Sequence, residues 1–247
     1  MASSETIDVL NQRVSVRKFS SDPVDKALVD EVLSAAFRAP TSSNIQSYSV
    51  IRVSNPDTRA ALAEVAGGQR HIIECPVFLA FCADLTRIEY AMKRNGNNIE
   101  NNNFEMGLVS SMDAALVGMS AYVAADSVGL KGVMIGALRN NVKTTAQILG
   151  LPPGVYAVFG LCLGYPAEAP EQKPRMAQLA TVHEEQFEPA KMQAWVDAYD
   201  ASLAQHYRSE GRVTTDDSWT HDVDAKFSSR PREVLREHLK ELGFDFA

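Results

Sequence analysis

"FEMGLVSSMDAALVGMSAYVAADSV", Phe104 to Val128, is the longest helical stretch in the chain, and Ala, Gly, Ser and Met are spread over nearly every face of it. A helix that is apolar all round either lies buried at the centre of a fold or packs in a subunit interface, and small residues let its neighbours come close. The rest of the chain is read as what surrounds it.

On the N-terminal side, "KRNGNNIENNN", Lys93 to Asn103, has almost nothing to bury and reads as a mobile loop. Before it, "PVFLAFCAD" (Pro76 to Asp84) is a continuous apolar run bounded by proline and aspartate, the mark of a strand buried on both faces. "SYSVIRVS" (Ser47 to Ser54) alternates as a strand, and Asn55-Pro56 starts a helix that stops at Gly67-Gly68. An opening helix covers Glu5 to Arg13, and Asp22-Pro23 reads as the cap of a second helix that ends before Pro40.

On the C-terminal side, Gly129 ends the long helix. "KGVMIG" is a short strand, "LRNNVKTTAQILG" a helix, and "GVYAVFGLCLGYP" (Gly154 to Pro166) the last strong strand. Beyond Pro166 the composition turns polar, with a helix from Pro189 to Tyr207, a polar connection and a final helix started by Pro231. Four strands without regular alternation with helices predict a mixed sheet flanked by helices rather than a doubly wound fold.

The 247 residues, 45% of them hydrophobic, suffice for one domain with a full core. Three cysteines, Cys75, Cys82 and Cys162, form no CxxC and imply a reducing, cytoplasmic setting. The first residues lack a signal-peptide pattern, no stretch reads as a membrane span, and a net charge of −7 argues against nucleic acid as partner. There is no GxSxG, P-loop, GxGxxG or HExxH, and the five scattered histidines give no metal site.

What remains are features suited to anions and amides. Arg13, Ser15 and Arg17 alternate along an extended segment, which puts all three on one side, where charge-assisted hydrogen bonds hold a phosphate. A lone R-x-S-x-R is more commonly a solvated basic turn. Thr41, Ser42, Ser43 and Gln46 cluster before a strand, Gln69 follows two glycines, Met134 to Ala137 lead from a strand into a helix, and Lys173 and Arg175 sit two apart in a Pro-held loop.

In this order and spacing, "RVSVRKF", "APTSSNIQ", "AGGQRH", "GVMIGALRNN", "GLCLGYP" and "KPRM" resemble the nitroreductase family, in its flavin reductase and oxygen-insensitive NAD(P)H nitroreductase branch. The resemblance implies an α+β fold, a single FMN-binding domain over 1–247 whose C-terminal extension, 166–247, embraces the partner of a homodimer and supplies nucleotide contacts. It implies FMN held by Arg13, Ser15, Arg17, Lys173 and Arg175 at the phosphate and ribityl chain. Thr41, Ser42, Ser43 and Gln69 would bond the ring, and backbone of Met134, Ile135, Gly136 and Ala137 would line it. Gln46, Arg212 and Arg230 would meet substrate or nucleotide.

The activity implied is ping-pong hydride transfer from NAD(P)H through FMN to nitroaromatics, quinones or flavins. The alternatives are a flavin reductase or peroxide-forming NAD(P)H oxidase, and a flavin-binding redox sensor without turnover. The flavin carries the chemistry, which agrees with the lack of any acid–base constellation. Three departures bear on the site. Val14 stands between Arg13 and Ser15, Ala137 replaces a glycine, and Glu210 occupies a place where an arginine would hold the 2′-phosphate of NADPH.

Overall fold

Four strands, β1 (Tyr48–Arg52), β2 (Val77–Asp84), β3 (Lys131–Ile135) and β4 (Val155–Gly164), form one sheet in the order β1-β2-β4-β3. Every residue of β2 is buried, as its unbroken apolar run demands. Its alternation serves two cores. Phe78, Ala80 and Cys82 face one cluster with Val133, Ile135 and Cys162, while Val77, Leu79 and Phe81 face another with Phe159, Leu161 and Leu163.

The three pairings are antiparallel. The expected mixed character is confined to an isolated parallel bridge between Ser15 and Gly132. One register shift, opposite Phe81 and Cys82, inserts Val158 as an extra residue in β4. The Val158 carbonyl there accepts the Arg139 guanidinium.

The computed structural model describes residues 4–99, 104–229 and 232–246. Contacts divide the chain into two units, Met1–Pro170 with Arg232–Ala247, and Glu171–Pro231. In the first, α1 (Glu5–Gln12), α2 (Lys26–Ala36), α3 (Pro56–Val65), α4 (His71–Glu74), α5 (Thr86–Arg94), α6 (Phe104–Ser127) and α7 (Val142–Leu149) surround the sheet. The second unit holds α8 (Gln178–Thr181), α9 (Met192–Ser209) and α10 (Ser218–Phe227), and α11 (Leu235–Glu241) belongs to the first.

α6 is buried on one side and exposed on the other. Ser110, Asp113, Ala114, Val117, Gly118, Ala121 and Ala125 are buried. Phe104, Leu108, Met112, Leu116 and Met119 are exposed in a stripe at helical spacing. Gly118 marks the closest approach to the sheet. A Cβ there would meet Phe159, with Cε2 at 2.7 Å and Cζ nearer still, and Phe159 is itself stacked on Phe81 at 5.2 Å. By length and composition alone α6 would cross a membrane, yet half of its most apolar window is buried within the fold.

Several boundaries differ from those expected of the sequence. The cap of α2 is Asp25, whose carboxylate accepts Ala27 N at 2.9 Å; Asp22 instead bonds Ser20. Pro23 and Val24 lead in, and Val24 packs against the core beside Leu28. The polar segments that form α5 and α10 bury little, yet both are helical, α5 with Leu85, Ile88 and Met92 on one face and α10 with no strong helical pattern. Lys93 and Arg94 therefore end a helix rather than start a loop, and residues 100–103 lie outside those described. The last helix begins at Leu235, and Arg230 and Pro231 also lie outside the described residues.

Candidate active site

After α1 the chain runs extended along β3. Val16 is buried and its N–H donates to the Gly132 carbonyl at 3.0 Å, so its neighbours in sequence turn to the opposite side. Arg13, Ser15 and Arg17 consequently line one hollow of about 280 Å³. Tyr122 and Met119 of α6 and Val133 and Met134 of β3 complete it.

Val14 does not push Arg13 out of this cluster. Its carbonyl accepts the Tyr122 hydroxyl at 2.6 Å, and the Arg13 guanidinium lies 5.6 Å from the Tyr122 ring centre. At the far end, Glu168 accepts the Arg17 and Lys18 N–H groups at 2.7 and 3.1 Å, which holds the extended backbone in place.

β3 passes into a 3-10 turn, Gly136–Asn141, before α7, so the expected single helix is split. Met134 is exposed, Ile135 buried, and Gly136 and Ala137 half-buried. Arg232 donates to the Gly136 carbonyl and to Asn140 Oδ1, both at 3.2 Å. Burial, then the charge of Arg232, lowers the pKa of Arg139 behind this turn.

The stretch from Thr41 to Ser47 carries three non-glycine residues with positive φ, Ser43, Asn44 and Gln46. Such backbone persists only where its surroundings fix it. Asp113, on the buried face of α6, does so: it accepts Ser42 N at 3.0 Å, Ser47 N at 3.1 Å and Ser47 Oγ at 2.9 Å. Gln46 does not join the arginine hollow but borders another with Tyr48 and Arg87.

Gln69, half-buried, follows the paired glycines that end α3, and its carbonyl accepts Ile72 N at 3.1 Å to start α4. Beside it, His71 has its Nε2 buried with no partner. Burial chiefly, then the Arg17 charge, lowers its pKa, against the pull of Glu74 and Glu168. The unfolded chain thus takes up a proton on His71 more readily, and stability falls as pH drops below the ordinary 6.5. His71→Gln is expected to lose less melting temperature than the parent between pH 7.5 and pH 5; parallel losses would rule this out.

In the second unit, Lys173 and Arg212 both turn to Tyr207, 4.9 and 3.9 Å from its ring centre, and Lys173 Nζ also donates to its hydroxyl at 3.2 Å. Arg175 donates to the carbonyls of Lys173 and Pro174, the latter also held by Tyr199. Glu210 lies 3.8 Å from His206.

Sequence reasoning does not single out Asp113 and Tyr122. A signal is present all the same: an aspartate and a tyrosine stand on the same helical face as Ala114, Val117 and Ala121, where only a partnered polar group is stable. Among the described residues no group of His, Cys, Asp or Glu is arranged to hold a metal.

A profile of the nitroreductase family matches residues 10–165, and one of the family's C-terminal domain matches 173–247. An oxygen-insensitive NADPH nitroreductase of Salmonella typhimurium is 34% identical over 98% of both chains. An FMN reductase (NADPH) of Bacillus subtilis is 31% identical over 98% of this chain and 99% of its own. The solved NADPH:FMN oxidoreductase of Vibrio harveyi, in complex with NAD+, superposes with a TM-score of 0.89 at 29% identity over 98% of this chain and 99% of that one.

Proposed function

This chain belongs to the nitroreductase family, and from that premise we propose that it is an FMN-dependent NAD(P)H oxidoreductase that reduces nitroaromatics, quinones or free flavin. The observation that carries the cofactor assignment is the hollow in which Arg13, Ser15 and Arg17 converge beside β3. Two guanidinium groups and a hydroxyl match a phosphate dianion in charge and donor type.

Bound FMN supplies the hydride chemistry; the chain supplies position and charge. Arg13, Ser15 and Arg17 would hold the phosphate, and Lys173 and Arg175 would add charge for the phosphate and ribityl chain. Thr41, Ser42, Ser43 and Gln69 would present donors to the polar edge of the ring, and the backbone from Met134 to Ala137 would line it. Arg232, by fixing the Gly136 carbonyl, keeps that backbone in one conformation. Arg212 offers charge to the nucleotide phosphate and Glu210 opposes a 2′-phosphate, so NADH is used as well as NADPH. Gln46 would meet the substrate; Arg230, given the same role by the resemblance, lies outside the described residues.

The chain acts as a homodimer. The exposed stripe of Leu108, Met112, Leu116 and Met119 on α6 supplies the apolar core that such an interface requires, and the extension from residue 166 adds to it. Purified protein is expected to be yellow, and anaerobic NADPH and NADH, tested in parallel, to bleach the flavin band. A colourless protein that takes up no FMN would sink the reading, and a yellow protein that neither nucleotide bleaches would favour the redox sensor.

A further inference from the structure

We propose that Tyr122 is a positioning residue for the cofactor phosphate, the pin that keeps Arg13 in the cation cluster. The inference rests on the assignment of that cluster to FMN. Tyr122 rises from the buried side of α6 and is only 2% exposed, yet its hydroxyl emerges between the two backbone segments that form the hollow. It reaches the Val14 carbonyl at 2.6 Å and the Gly132 carbonyl at 2.9 Å. One hydroxyl thereby ties the extended segment to β3 at the residue before Ser15.

The same side chain serves Arg13 in two ways. The guanidinium lies over the ring face, 5.6 Å from its centre, and its charge bears on the hydroxyl, whose pKa burial raises and the arginine lowers to a smaller extent. An arginine that follows directly on a helix end, with a β-branched residue after it, has many rotamers open to it in solvent. Against Tyr122 it keeps one, and the ordering cost of binding an anion is met before the anion arrives. Ser15 and Arg17 are held at the backbone instead, by the Ser15–Gly132 bridge and the Glu168 carboxylate.

Tyr122→Phe tests this with little change in volume. Dissociation constants for FMN and for riboflavin, which lacks the phosphate, are measured on the deflavinated full chain of the parent, Tyr122→Phe, Arg13→Ala and the double variant. Tyr122→Phe is expected to weaken FMN about fivefold to tenfold, the worth of one or two hydrogen bonds, and to leave riboflavin unchanged. The double variant is expected to match Arg13→Ala within about twofold, because the hydroxyl acts through the arginine. Equal loss for both flavins means a general packing role and overturns the proposal, as does unchanged FMN affinity or full additivity with Arg13→Ala. A parent chain that binds neither flavin overturns the cofactor assignment itself, a result distinct from each of these.

Discussion

Asp113→Ala is expected to empty the protein of flavin and to lower its melting temperature more than any other single change to a polar residue in the first unit. The carboxylate is 1% exposed and is the acceptor for Ser42 N, Ser47 N and Ser47 Oγ. Its removal strands the buried Ser47 N–H and hydroxyl, at about 1–3 kcal/mol for each buried group left unpaired, and unties the partly buried Ser42 N–H. For a chain of this size that is a fall of roughly 5–15 °C.

The second effect follows from the first. Ser43, Asn44 and Gln46 hold positive φ only while both ends of the loop are tied to α6. Released, the loop relaxes toward extended backbone, and Thr41 to Ser43 lose the arrangement in which they are proposed to meet the flavin. Asp113→Asn repeats the test with the volume kept, since its amide can accept at only one atom and places a donor against N–H groups. Thermal melts and flavin content after gel filtration read both outcomes; a fall of under about 2 °C with full flavin content would refute the role given to Asp113.

Gly132→Ala is expected to be at least as damaging, for a steric reason. A Cβ at this position would drive into the backbone oxygen of Cys162, with the carbonyl carbon at 3.2 Å and Leu163 Cδ2 at 2.9 Å. The obstacle is the backbone of β4, which no rotamer change can move, so the β3–β4 ladder must open. Overpacking of this kind costs about 3 kcal/mol or more.

The damage would reach the site, because the Gly132 carbonyl accepts both Val16 N and the Tyr122 hydroxyl and the residue pairs with Ser15. Urea unfolding of the soluble fraction checks it. A variant within about 1 kcal/mol of the parent would mean that β3 and β4 adjust far more freely than close packing allows.

These two positions also show why some of the site was legible and some was not. β2 and β4 could be read because an unbroken apolar run of strand length, closed off by proline, glycine or aspartate, fits little besides a buried strand. α6 stood out by its length and composition. The arginine cluster could be read because its members are two apart and the strand period puts them on one side. The contacts that shape the site span large sequence distances. Asp113 lies 71 residues from Ser42, and the Tyr122 hydroxyl 108 from Val14. No local pattern encodes which loop a buried carboxylate will gather. The polar helix α10 escapes a sequence reading because it buries so few side chains, whereas α5 carries a readable signal in Leu85, Ile88 and Met92 at helical spacing. Their ends are set by remote or compact hydrogen bonds, such as Asp200 accepting Trp219 N and Thr220 N.

The close seat of Phe159 against Gly118 has a consequence for how this sequence can drift. The two positions are 41 residues apart but share one volume, with Phe81 as the third wall. A methyl at 118 has room only after the ring at 159 has shrunk, and a smaller residue at 159 leaves a void that 118 is well placed to fill. Neither step is favourable alone. Lineages that descend from this chain should therefore either keep the glycine and the aromatic together or replace them as a pair, and alanine at 118 opposite an intact phenylalanine should be rare among them.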